Sequence, residues 1–182
     1  MNITILTKVV NVVDNSVERG ESMVSERMFE VAKYFIYLAN SKGDTITNLK
    51  LQKLMYYAQA WYMVFNNGKP LFDGDFQAWA LGPAIPELYR EYKKFGRGNI
   101  ELNLTNDEEK LNQELMDLEP DIIEHLDNVY DRYGHMEAFE LSQLTHRESP
   151  WINARNHKDA LEFCTTIITK DSMIRYYSEL VR

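Results

Sequence analysis

Residues 47–65 read TNLKLQKLMYYAQAWYMVF, and their spacing decides the fold. Leu51, Leu54, Met55, Ala58, Tyr62 and Phe65 recur at three- and four-residue intervals, which makes one apolar helical stripe. Leu49, Tyr56, Ala60 and Met63 form a second, roughly opposite. A helix apolar on two sides lies between layers or is shared between a core and a partner. The helix is expected to start near Thr47, and Asn66, Asn67 and Gly68 supply a left-handed stop. Lys50, Gln52, Lys53 and Gln59 occupy the gaps between the stripes. Tyr57 lies on neither stripe, so Lys50, Lys53 and Tyr57 are expected to form an exposed contact edge.

Downstream, Phe72 and Phe76 flank Asp73-Gly74, a hairpin signal, which predicts a small β-ribbon near residues 69–81. Gly82, Pro83 and Pro86 make a rigid turn that launches a third helix carrying Ile85, Leu88, Tyr89, Tyr92 and Phe95, closed by Gly96. Upstream, Met28, Val31, Ala32, Phe35 and Leu38 predict a helix from Ser25 to Asn40. Residues 1–22 differ in composition: an apolar, β-branched start gives way to polar residues. They read as an arm, or as an extension ahead of a start at Met23, with one domain over residues 23–182.

Further helices are predicted beyond residue 104. Thr105 and Glu108 match a capping box, with Leu111, Leu115 and Leu118 behind it. Pro120 breaks that pattern, and Ile122, Leu126, Val129, Tyr130 and Tyr133 begin another. Ser149-Pro150-Trp151 reads as an N-cap with proline at the first helical position, and Ser172 opens a terminal helix. The expected fold is mainly α: a single compact domain of about six to eight helices with one β-hairpin.

Composition narrows the function classes. The 182 residues are 45% hydrophobic and 12% aromatic, enough for a packed core. Net charge is −8, and the excess is local: residues 101–140 hold 13 carboxylates against Lys110 and Arg132. Such a chain lacks the main driving force for nucleic-acid binding, and a basic protein is the natural complement to the acidic stretch. That stretch and the Arg97 loop are expected partner contacts. The lone Cys164 cannot form an internal disulfide, which suits a reducing cytoplasm. No run approaches the ~18 apolar residues of a membrane span. Neither a phosphate loop nor metal-ligand spacing is present, so no cofactor or metal is expected. Cys164 and His146 could be imagined as nucleophile and base, but a thiol in an apolar stretch is ordinarily inert. The expectation is therefore a binding protein, not an enzyme.

Five segments then carry a resemblance. TITNLKLQKLMYYA (45–58), GKPLF (68–72), FQAWALGPAIPELY (76–89), KKFG (93–96) and LSQLTHRESPWINA (141–154) occur in an order and spacing that resemble the Panacea domain. This is the SocA-like antitoxin family, which includes phage-associated GepA-like proteins. Lys53, Tyr56, Tyr57, Trp79, Gly82, Pro83, His146, Pro150 and Trp151 fall on its motifs. The resemblance implies a helical cytoplasmic antitoxin that neutralises a co-encoded toxin by direct binding. It also implies, as an alternative, an adaptor that delivers a toxin or other client to an ATP-dependent protease. It supplies no catalytic motif.

Overall fold

In the computed structural model, which describes residues 15–101, 118–159 and 161–181 with side chains from residue 26, helix α1 spans Asn15–Lys42. It starts ten residues before the predicted Ser25 and runs unbroken through residues 22 and 23. Polarity separates exposed from buried, not helix from coil, and Glu18, Arg19 and Glu21 are good helix formers. Residues 1–14 lie outside the described residues.

Helix α2, Asn48–Phe65, is the hub. Thr47 Oγ1 caps it by accepting from the Lys50 N–H at 3.2 Å. Asn67 and Gly68 take left-handed φ values of 55° and 81° at its end, as the stop signal predicted. Thirteen of its 18 residues are buried, which leaves it no solvent face along most of its length.

The ribbon forms, but later than the Asp-Gly pair suggested. Strand β1 is Phe76–Trp79 and β2 is Gly82–Ala84, joined by Ala80 and Leu81, with Trp79 opposite Gly82. Residues 71–72 cannot pair as a strand because Gln59 already holds their backbone. Its Oε1 accepts from Leu71 N–H (2.8 Å) and Phe72 N–H (3.3 Å), and its Nε2 donates to Phe72 C=O (2.8 Å). Gly82 has φ +98°, the left-handed position that closes a turn whose central residues keep negative φ. A third strand, β3 (Ile167–Ile168), pairs antiparallel with β1, for the order β2-β1-β3.

Helix α3 (Pro86–Tyr92) begins on the proline as expected and continues as a short 3-10 turn over Lys93–Phe95. Residues 99–100 then tie back to the α1–α2 link: Ile46 N–H donates to Asn99 Oδ1, and Ile100 N–H to Ile46 C=O, both at 2.8 Å. Helices α4 (Pro120–Tyr133) and α5 (Ala138–Thr145) follow, the latter with a Glu137/Glu140 capping box. The N-cap of α6 (Ser149–Arg155) is Glu148, not Ser149, and α7 (Lys170–Glu179) starts on Thr169, not Ser172. The predicted capping box at Thr105 and the Leu111 helix lie outside the described residues. Helices α1, α3, α4, α5 and α7 all pack on α2, so the mainly helical fold read from its two-sided stripe is the one observed.

Candidate functional site

One edge of α2 is polar, and it faces backbone rather than water. Asn48 Nδ2 donates to Tyr89 C=O at 3.0 Å, and Gln52 Oε1 accepts from Ile85 N–H at 2.8 Å. Lys53 Nζ donates to Pro83 C=O at 2.7 Å, and Gln59 holds residues 71–72. Buried loops must have their backbone groups satisfied, and these four side chains do so for the segment from residue 71 to 89. Lys53 is only 1% exposed, and burial pulls its ammonium down to about 7.

The β1–β2 turn is held from its other side by α5 and α6. Ser142 Oγ donates to Leu81 C=O (2.8 Å), and Trp151 Nε1 to Trp79 C=O (3.0 Å). Buried Arg155 donates to the carbonyls of Ala78, Asp159 and Glu162 and lies over the Trp151 ring. His146 stacks on Trp151, ring centroids 4.0 Å apart. Desolvation holds His146 below the usual imidazole range, helped by the charges of Lys53 and Arg155 and opposed by the Ala80 backbone. Pro150 is buried beside these groups at the start of α6. Thus Trp79, Gly82, Pro83, His146, Pro150 and Trp151 gather around one turn. Cys164 Sγ faces Thr166 Oγ1 at 3.5 Å.

A second cluster surrounds Glu148. Its carboxylate accepts from Tyr177 Oη at 2.6 Å and Tyr57 Oη at 3.2 Å. Tyr57 stacks on Tyr133 at 4.0 Å, and Tyr56 meets Tyr57, Phe76 and Tyr177 edge to face. Burial raises Glu148 to about 7, although both hydroxyls favour its ionised form. This network ties α2, α6 and α7 together.

The expected exposed edge therefore does not exist. Tyr57 is fully buried, Lys53 nearly so, and Lys50 is 6% exposed. Tyr57 fell between two stripes because a third partner, the α4–α7 side, takes that face of the helix. The acidic stretch is also partly engaged within the chain. Asp127 accepts from Tyr34 Oη at 2.8 Å, and Glu119 pairs with Arg27 at 2.7 Å, both across to α1. Residues 102–117 of that stretch lie outside the described residues.

Arg97 is exposed, as expected, and it lines a groove of about 800 Å³. The first turns of α2, the β1–β2 turn, the start of α5 and residues 161–164 form its walls. Lys53 and Gly82 line it too. Its apolar surface comes from Leu81, Tyr89, Phe139, Leu161 and Phe163, which are 36–86% exposed. A monomer rarely shows so many large apolar side chains around one depression, and such patches mark binding surfaces. Sequence reading missed four of these five, since Leu81 stands in the β1–β2 turn, Phe139 at the start of α5, and Leu161 and Phe163 in the segment after α6. Tyr89 was assigned inward by its helical spacing, yet it faces the groove against Trp79.

Among the described residues, no helix is long and apolar enough to cross a membrane. Comparison with known proteins finds a family described as "Antitoxin SocA-like, Panacea domain", which matches residues 51–152. The chain is also similar to Antitoxin SocA of Caulobacter vibrioides (strain NA1000 / CB15N), at 34% identity over 126 residues. That alignment covers 66% of this chain and 66% of the relative, slightly under two thirds of the relative's length. No solved structure matches.

Proposed function

The chain belongs to the SocA-like antitoxins of the Panacea domain family, and from that premise we propose that it neutralises a co-encoded toxin in the cytoplasm by binding it directly. The groove between α2, the β1–β2 turn and α5 is the docking surface. The observation that carries this reading is the ring of exposed Leu81, Tyr89, Phe139, Leu161 and Phe163 around a depression of about 800 Å³. Aromatic and aliphatic anchors in a pocket dominate interface energies, and neutralisation needs an affinity that such anchors supply. The family match ends at residue 152, so Leu161 and Phe163 on the rim lie beyond it.

Phe139→Asp combined with Leu161→Asp tests this. Both side chains are largely exposed, so the melting temperature should stay within a few degrees of wild type, while copurification with the toxin and rescue of growth are both lost. Retained rescue would remove the groove as the docking surface. Toxin half-life in the same cells separates blocking from delivery: neutralisation with unchanged toxin turnover supports blocking. Turnover that speeds up only when an ATP-dependent protease is present supports the adaptor alternative.

A further inference from the structure

We propose that the α3 edge of this groove recognises acidic side chains, so that the toxin segment it takes carries Asp or Glu next to its apolar anchors. The inference rests on the groove being the toxin site and names the chemistry of what enters it. Its first ground is a set of exposed cations without counter-charges. Arg90, Lys93, Lys94 and Arg97 stand on α3 and the turns that follow it, and all four are exposed. Glu87 holds Arg90 at 2.8 Å. Lys93, Lys94 and Arg97 have no carboxylate partner among the described residues. Like charges packed into residues 93–97 repel one another, and an incoming carboxylate relieves that repulsion.

Position is the second ground. Tyr89, Gly96 and Arg97 all line the groove. Lys93 follows Tyr89 by one helical turn, so it extends the same wall toward Arg97. The third ground is the sign of the remaining surroundings. Glu137 is the one carboxylate lining the groove among the described residues, and it caps α5, where the helix N-terminus offsets its charge. The acidic helix α4 lends no residue to the walls: Glu119, Asp127 and Asp131 turn to Arg27, Tyr34 and Lys42 of α1. The net −8 of the chain therefore does not extend to this edge, and the basic partner that suits the acidic stretch does not suit the groove. Apolar Leu81, Tyr89 and Phe163 displace water beside Arg97 and strengthen a pair formed there. A nucleic acid draws its affinity from many phosphate contacts at once, and a few free cations at the edge of an apolar depression do not supply them.

The test measures association of the full chain with its co-encoded toxin at low and high salt. Lys93→Glu combined with Arg97→Glu should slow association ~10–100-fold at low salt and less at high salt. The melting temperature should stay within a few degrees of wild type, since both side chains are exposed. Glu87→Gln, which releases Arg90, should instead speed association ~2–5-fold. Effects of the opposite sign would overturn the proposal and give this edge a basic partner. Unchanged association in the charge variants, with binding lost in Phe139→Asp combined with Leu161→Asp, overturns acidic recognition but keeps the groove. Unchanged binding in every variant overturns the groove itself. A mixed-sequence DNA duplex is the second probe. Tight DNA binding that Lys93→Glu with Arg97→Glu abolishes, while toxin association stays at wild type, would assign the edge to nucleic acid and overturn the proposal.

Discussion

Replacing Glu148 by Gln should make the chain more stable at pH 8 and leave it nearly unchanged at pH 5. Glu148 is 6% exposed and ionises at about 7 in the fold, against an ordinary 4.5. Unfolded chain loses that proton near 4.5, so between the two values the folded protein holds one proton more. Stability from this group is therefore full below 4.5 and falls as pH rises to about 7. At about 1.4 kcal/mol per pH unit, the loss comes to roughly 3 kcal/mol. Glutamine stays neutral throughout. Its oxygen can accept from Tyr177 Oη, and its amide can donate to Tyr57 Oη once that hydroxyl rotates, so the packing between α2, α6 and α7 is kept. Other titrating groups, including His125 and His146, cancel when variant and wild type are compared at the same pH. The assay is urea or thermal unfolding of both proteins from pH 5 to 8. The Glu148→Gln advantage should grow across that range to ~3 kcal/mol, or ~6–12 °C in melting temperature. Parallel pH profiles for the two proteins would refute the burial of an ionised carboxylate among these tyrosines.

Gly82→Ala should destabilise by ~2–4 kcal/mol in chemical unfolding, since it puts a Cβ at φ +98° and 2.7 Å from both Lys53 Cε and Thr145 Oγ1. Gln59→Leu should cost a similar ~2–4 kcal/mol, because Leu71 N–H and the Phe72 backbone lose their partner while still buried. Faster proteolytic cleavage within residues 69–75 would accompany it. Trp151→Phe keeps the stack on His146 but drops the bond to Trp79 C=O, and should lower stability by only ~1 kcal/mol in the same measurement.

The helical architecture was legible along α2 because burial repeats with the helix period. Leu51, Leu54, Met55 and Ala58 lie on one side and Tyr56, Ala60 and Met63 on another, and a periodic signal needs no knowledge of the partner surfaces. Starts and stops were legible for the same local reason: the start near Thr47, the stop at Asn67 and Gly68 and the proline opening α3 act within one turn of chain. The ribbon was displaced because the hydrogen bonds that exclude residues 71–72 come from Gln59, twelve and thirteen positions away.

Sequence alone thus determined a mainly helical chain built on α2, with the order of motif segments that marks its family, since each of these rests on local spacing. Tertiary structure alone decided which polar residues meet water. Lys53 and Tyr57, read as an exposed edge, are enclosed by the β1–β2 turn and the tyrosine cluster. Leu81, Phe139, Leu161 and Phe163 are brought together on one groove from segments up to 82 positions apart. Exposure is a property of what packs against a residue. For α2 those neighbours come from most of the chain, so no window of sequence around Lys53 could show that its ammonium ends beneath a groove.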